Sequence, residues 1–336
     1  MGSKISAIEY YFPEKELTNA DLTREFPSYD FSKFEEKVGI KTRYIAAEDE
    51  TALDLAQKAC EKLFLRTDKD AVDYILYCTQ SPEYILPTTA CILQDRLTLR
   101  KNIGALDFNL GCSGFTYGVS LAKALIESGQ AKNVLLVTAE TYSKFLNRLD
   151  RSNRAIFGDA ATATLISYSD EEHIGKFLFG SDGSGHQKLI VKNGGSRNRF
   201  EPDAELVEYG TENSYTNNDL YMNGPEIFNF TNENIPPFTE EVLAANGFQK
   251  DEIGQFVFHQ ANAFMLNTMR KRLKLLPKKF FIDLVEGGNT VSCTIPIALK
   301  KYSLKKFDNS AEPVLIVGFG VGLSWSGGLI TLTNTL

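Results

Sequence analysis

Apolar runs enriched in β-branched residues alternate along this chain with segments of helical periodicity, and that alternation constrains the fold more than any single residue does. AVDYILYCT (Ala71 to Thr79), NIGALDFNL (Asn102 to Leu110), NVLLVTAE (Asn133 to Glu140) and ATATLISY (Ala161 to Tyr168) read as strands, after a first strand at Ile5 to Tyr11. TALDLAQKACEKLFL (Thr51 to Leu65) and GFTYGVSLAKALIESG (Gly114 to Gly129) read as helices between them. This grammar predicts an α/β fold with parallel strand pairing. Ser181 to Tyr221 is rich in Gly, Asn, Ser and Glu and reads as a long surface excursion. The pattern then resumes with strands GQFVFHQ (Gly254 to Gln260), KKFFIDLV (Lys278 to Val285), PVLIVGF (Pro313 to Phe319) and SGGLITLT (Ser326 to Thr333). Helices ANAFMLNTMRKRLKL and TIPIALKKY are interleaved. Two α/β halves follow, 1–170 and 171–336.

At 336 residues the chain can hold two domains or one large unit. A net charge of -7 argues against general nucleic-acid binding, which needs clustered Lys and Arg. Basic residues do gather in MRKRLKLLPKKF (Met269 to Phe280) and KKYSLKKF (Lys300 to Phe307). Such clusters are either solvated helix faces or a docking surface for an acidic partner. The five cysteines are an odd number, widely spaced and without a CxxC pair, which predicts neither a zinc site nor a disulfide framework. With no apolar leader at the start and no apolar run of about 18 residues, a cytoplasmic protein without a membrane span is expected.

Three polar residues stand at strand-to-helix corners. Cys112 lies between Gly111 and Gly114, ahead of a helix whose Phe115, Val119, Ala122 and Ile126 fall on one face. Free cysteine is commonly a buried, inert residue, and Cys60, Cys78, Cys91 and Cys293 are read so. At a helix start, unpaired N–H groups and the positive dipole end favour a thiolate, so Cys112 is read as a nucleophile with a depressed pKa. His259 ends the strand FVFH, whereas His173 and His186 lie in polar loops. Asn289 sits in EGGNTVSCTIP, where loop asparagine ordinarily serves a turn. Because ligands bind at the carboxyl ends of strands in open α/β sheets, the three corners could share one pocket. The glycines of GFGVGLSWSGG (Gly318 to Gly328) lie between two strands with no helix after them, which excludes a dinucleotide loop and suits close approach of a backbone N–H to a reacting oxygen.

Taken in order, GCSGFTYGVSLAKALIESGQAKNVLLV, IFGDAATATLI, FHQAN, GGNTVSCTIP and FGVGLSW resemble the ketoacyl-ACP synthase III family of thiolase-fold condensing enzymes. LTNADL and VGIKTRYIA near the start extend the likeness over nearly the whole chain. The resemblance implies a duplicated αβαβα thiolase-like fold, a homodimer, and a catalytic set of Cys112, His259 and Asn289. It implies an oxyanion hole from the N–H of Cys112 and of Val321, beside Gly320, where the family usually has glycine at 321. It places Leu86, Phe157, Arg151, Asn262 and Lys37 at the substrate, with Lys33 where an adenine-stacking tryptophan is usual. Lys271 and Arg272 match basic positions that meet acyl carrier protein, and Phe264 replaces a third.

The implied reaction is decarboxylative Claisen condensation of a Cys112-bound acyl group, from acyl-CoA or acyl-ACP, with malonyl-ACP. No cofactor or metal is implied beyond the coenzyme A or phosphopantetheine thioesters themselves. Gln80 and Leu86 occupy the positions at which non-decarboxylating relatives carry a glutamate, and neither accepts a proton. Two other readings stand beside this one: an acyltransferase passing the acyl group to a hydroxyl or amine, and a non-catalytic dimer partner.

Overall fold

A computed structural model describes residues 2–305 and 311–332; the ends of the expected elements at Phe307 and Thr333 lie outside them. The first sheet has five strands in the order Gly2–Tyr11, Ala160–Ser169, Asn133–Glu140, Tyr74–Cys78, Gly104–Phe108. The second has four, in the order Gln255–Phe258, Glu312–Gly320, Ser324–Leu332, Ile174–Ser181. Pairing is mixed, not parallel throughout. Tyr74–Cys78 runs parallel to both neighbours, but Ala160–Ser169 is antiparallel to both of its own. Only Gln255–Phe258 and Glu312–Gly320 are parallel in the second sheet. Of the antiparallel pairs, Glu312–Gly320 and Ser324–Leu332 follow one another through a short turn, which needs no crossover helix.

Both faces of each sheet are apolar, so each needs two helical layers. Leu76, Val134 and Leu136 point into the core between the sheets, and their neighbours Ile75, Leu135 and Val137 point the other way. Ala52–Phe64 and Thr89–Arg96 cover that outer face. Gly114–Glu127 and Thr294–Lys305 each pack against strands of both sheets and form the middle layer. Gly224–Asn246 covers the far side of the second sheet, with Ala263–Arg272 against it. The stacking is therefore helix, sheet, helix, sheet, helix. Phe115, Val119, Ala122 and Ile126 are all buried in the central layer, as their spacing predicts.

Three sequence expectations are corrected here. Lys278 to Val285 is not a strand: Phe280 makes one isolated bridge to Phe256 after a 3-10 turn at Pro277–Lys279. Beyond it the Gln260 amide takes over the backbone groups, accepting from Asp283 N–H at 2.8 Å and donating to the Phe281 carbonyl. The excursion after Ser181 is partly built into the fold, since Leu189–Val191 pairs with Leu220–Met222 and both segments reach the cavity described below. Cys91 is exposed, whereas Cys60, Cys78 and Cys293 are buried. A further helix, Gly224–Asn246, runs through Pro236 and Pro237, a pair that reads as a breaker. Asn223 caps its start by accepting from Glu226 N–H, and Gly247 at φ 73° ends it. Among the described residues no helix is long and apolar enough to cross a membrane.

Candidate active site

Cys112 follows the edge strand Gly104–Phe108 through a turn closed by Gly114 N–H donating to the Gly111 carbonyl at 2.7 Å. Here glycine is required for room: a Cβ at Gly114 would lie 2.2 Å from Cys78 Sγ. From the opposite sheet Gly320 presses on the sulfur, since a Cβ there would be 2.8 Å from Cys112 Sγ. His259 ends its strand with its N–H on the Val317 carbonyl and its ring edge-to-face with Phe319. Asn289 is docked by reciprocal bonds, its N–H to the Ile156 carbonyl and its carbonyl from Gly158 N–H. Its Oδ1 accepts from Val291 N–H at 2.9 Å, and no described residue accepts from its NH₂ group. That bond needs Val291 at φ 56°, a left-handed conformation a β-branched residue avoids, with a cost of about 1–3 kcal/mol.

These corners converge. One cavity of about 120 Å³ is lined by Cys112, His259, Asn289, Phe157, Asn262 and Gly320, among others, and no carboxylate lines it. Ile156, Met222 and Gly224 are shared with a larger groove of about 850 Å³ that contains Arg151, so the two cavities adjoin. The remaining expected positions lie elsewhere. Leu86 is 79% exposed and lines neither of these two cavities. Lys37 sits 4.9 Å over the Phe264 ring, at the foot of the helix bearing the exposed Lys271 and Arg272. Lys33 is exposed and paired with Asp30. The Tyr29 ring lies 4.0 Å from the Arg151 guanidinium, and Glu212 also binds Arg151. Sequence reading missed the cavity wall supplied by Leu189, Met222 and Gly224, and missed Tyr29. The only signal for Tyr29 was an aromatic four residues ahead of the expected position.

The electrostatics correct the expectation of a depressed cysteine pKa. Burial pushes the Cys112 thiol up to about 12, although the N–H groups of Val321 and Cys112 itself act on the sulfur in the opposite sense. Desolvation outweighs the helix terminus. Burial likewise takes His259 down to about 3, so the sulfur and the ring are both uncharged at neutral pH. A nearby acid is also neutralised: burial raises Glu140 to about 8 although it accepts from Gln80 N–H, Ser81 and Ser292. Far below its pKa a thiol gains thiolate about tenfold per pH unit. Alkylation of the Cys112 peptide by iodoacetamide in the free protein is therefore expected to rise about tenfold per unit from pH 7 to 9. Peptide mass spectrometry, which separates it from exposed Cys91, checks this, and a plateau below pH 8 would show an ion pair instead.

Two stacked sheets sharing a helical layer, with a cysteine and a histidine beyond strand ends and an asparagine on a loop that meets them, define a thiolase-like enzyme fold. Comparison with known proteins gives the family. The 3-oxoacyl-[acyl-carrier-protein (ACP)] synthase III family matches residues 106–183, and its C-terminal region matches 243–332. Beta-ketoacyl-[acyl-carrier-protein] synthase III of Caldanaerobacter subterraneus is 36% identical over 324 residues, covering 95% of each chain. The crystal structure of a 3-oxoacyl-(acyl-carrier-protein) synthase III superposes with a TM-score of 0.96 at 44% identity, over 98% of this chain and 99% of that one. The Burkholderia xenovorans 3-oxoacyl-(acyl-carrier protein) synthase gives 0.89 at 32% identity, over 100% and 96%. This chain belongs to the 3-oxoacyl-[acyl-carrier-protein] synthase III family.

Proposed function

We propose that the chain loads an acyl group onto Cys112 from an acyl-CoA or acyl-ACP thioester and condenses it with malonyl-ACP, releasing carbon dioxide and 3-oxoacyl-ACP. The observation that carries this reading is a cavity holding a thiol, a neutral imidazole and a carboxamide with no carboxylate among its walls. In loading, His259 Nε2 takes the thiol proton, the sulfur attacks the thioester carbon, and the proton leaves on the departing coenzyme or carrier thiol. The N–H groups of Cys112 and Val321, beside Gly320, stabilise the oxyanion; such donors are worth about 3–4 kcal/mol each.

Malonyl-ACP then loses carbon dioxide to give an enolate. Its oxygen needs donors that do not surrender a full proton, which Nε2–H of His259 and the NH₂ of Asn289 supply. The carbanion attacks the acyl carbon and expels the Cys112 thiolate, which regains a proton from solvent. A charged lysine or carboxylic acid at this position would quench the carbanion by protonation. The absence of any carboxylate in the cavity, with amide-bearing Gln80 and apolar Leu86 at the alternative positions, favours this route over acid–base condensation.

Phe157 and Asn262 line the bound chain's cavity, and Tyr29 with Arg151 flanks the groove through which a thioester arm enters. Exposed Lys271 and Arg272 form the face for an acidic carrier protein. The outer edge of Gly104–Phe108 has no strand partner among the described residues, and Tyr84, Ile85 and Leu86 beside that end of the sheet are exposed. A bare edge with apolar neighbours is a pairing surface, and a second copy fits it. Sedimentation at micromolar concentration is expected to give a dimer; a monomer would contradict this.

The reaction is tested by supplying an acyl donor and then malonyl-ACP or malonyl-CoA, with release of carbon dioxide and the 3-oxoacyl product both measured. Equal amounts of the two, faster with malonyl-ACP, are expected. Acyl transfer to a hydroxyl or amine without carbon dioxide would replace this reading with the acyltransferase one.

A further inference from the structure

Thr294, at the start of the central-layer helix Thr294–Lys305, has its hydroxyl oxygen 2.7 Å from His259 Nδ1 and 3.1 Å from the Val291 carbonyl oxygen. All three residues are buried. A threonine hydroxyl has one proton, which rotates, and lone pairs that accept. Turned toward the Val291 carbonyl, it lets the oxygen accept Nδ1–H, and Nε2 then presents a lone pair. Turned toward Nδ1, it donates to that nitrogen, and Nε2 carries the hydrogen. Neither arrangement leaves the ring without a partner at Nδ1. A backbone carbonyl alone would fix one tautomer, because it only accepts.

The two half-reactions call for opposite tautomers. Loading needs a lone pair on Nε2 to receive the Cys112 proton. Decarboxylation needs Nε2–H to donate to the enolate oxygen. One neutral ring does both only if its far side tolerates both states. We propose that Thr294 is a positioning residue that satisfies either tautomer of His259, so that one imidazole acts as base in loading and as donor in decarboxylation. This rests on the function proposed above. The change of tautomer between half-reactions puts one proton on Nε2 and takes one off Nδ1, so the net proton count is unchanged.

The test uses the full chain with Thr294→Val and Thr294→Ser. Valine keeps the shape and removes the hydroxyl, leaving the Val291 carbonyl to hold Nδ1–H. Rapid-mix intact mass reads loading, and carbon dioxide release from malonyl-ACP reads decarboxylation. In Thr294→Val, decarboxylation is expected to fall at least tenfold more than loading, and Thr294→Ser is expected to restore it. Nitrogen-15 NMR of the His259 ring, assigned by its loss in His259→Ala, is expected to show averaged tautomers in the wild type and Nδ1–H alone in the valine variant. Should the valine variant not fold, Thr294→Ala, which adds no bulk, gives the same readout. Equal loss of both steps in a folded variant, no loss of either, or an unchanged tautomer would overturn the proposal. A wild-type protein that neither loads nor decarboxylates would instead overturn the function on which it rests.

Discussion

Cys112→Ala is expected to abolish the acyl adduct and to lower condensation by about 10⁴-fold or more, the scale on which removal of a covalent nucleophile acts. The size follows from the surroundings of the other thiols. Cys60 and Cys293 are fully buried with pKa values raised by desolvation, and Cys78 is sealed with its S–H on the Leu110 carbonyl. Cys91 is exposed but lines none of the cavities around the sulfur. None can replace a sulfur that lines the cavity beside His259 and Asn289. Structural damage from the substitution is expected to be small, because alanine keeps the Cβ that Gly320 packs against. Intact mass after incubation with donor and product formation with malonyl-ACP together check it; an adduct persisting on the variant would reassign the nucleophile.

Asn289→Ala is expected to slow decarboxylation by about 10²–10³-fold, the cost of losing one preorganised oxyanion donor, while loading falls much less. The carboxamide is fixed before substrate arrives: Val291 N–H holds Oδ1, and two backbone bonds hold the residue to Ile156 and Gly158. Only the NH₂ group is left for substrate. Loading, in the proposed reaction, would draw on the N–H groups of Cys112 and Val321 instead. Single-turnover loading beside carbon dioxide release separates the two, and equal loss of both steps would remove Asn289 from the assigned role.

The layered α/β fold was legible because both sheets are apolar on two faces and therefore write continuous β-branched runs, with helical spacing between them. The convergence of Cys112 and His259 was legible for a related reason: each follows a strand and precedes a helix, and such ends point one way; Asn289 joins them from a loop, held by backbone bonds to Ile156 and Gly158. Strand direction was not, since Ala161 to Tyr168 reads alike whether it pairs parallel or antiparallel. Lys278 to Val285 has strand composition, but a side-chain amide from Gln260 outcompetes the ladder, which no local pattern reports. The sign of the Cys112 shift was misread because a helix start is visible in sequence and desolvation is not. Leu189, Met222 and Gly224 lie in or beside a polar, glycine-rich stretch, and only tertiary packing turns them into a wall. The Thr294 contact joins residues 35 positions apart across two elements, beyond any motif.

Peptide mapping of the wild-type protein across one turnover tests the shared, uncharged cavity most directly. After an acyl donor the added mass is predicted on the Cys112 peptide alone; malonyl-ACP then removes it with one carbon dioxide per acyl group transferred. Acyl mass on another residue, or its loss by hydrolysis with no carbon dioxide, would contradict the account.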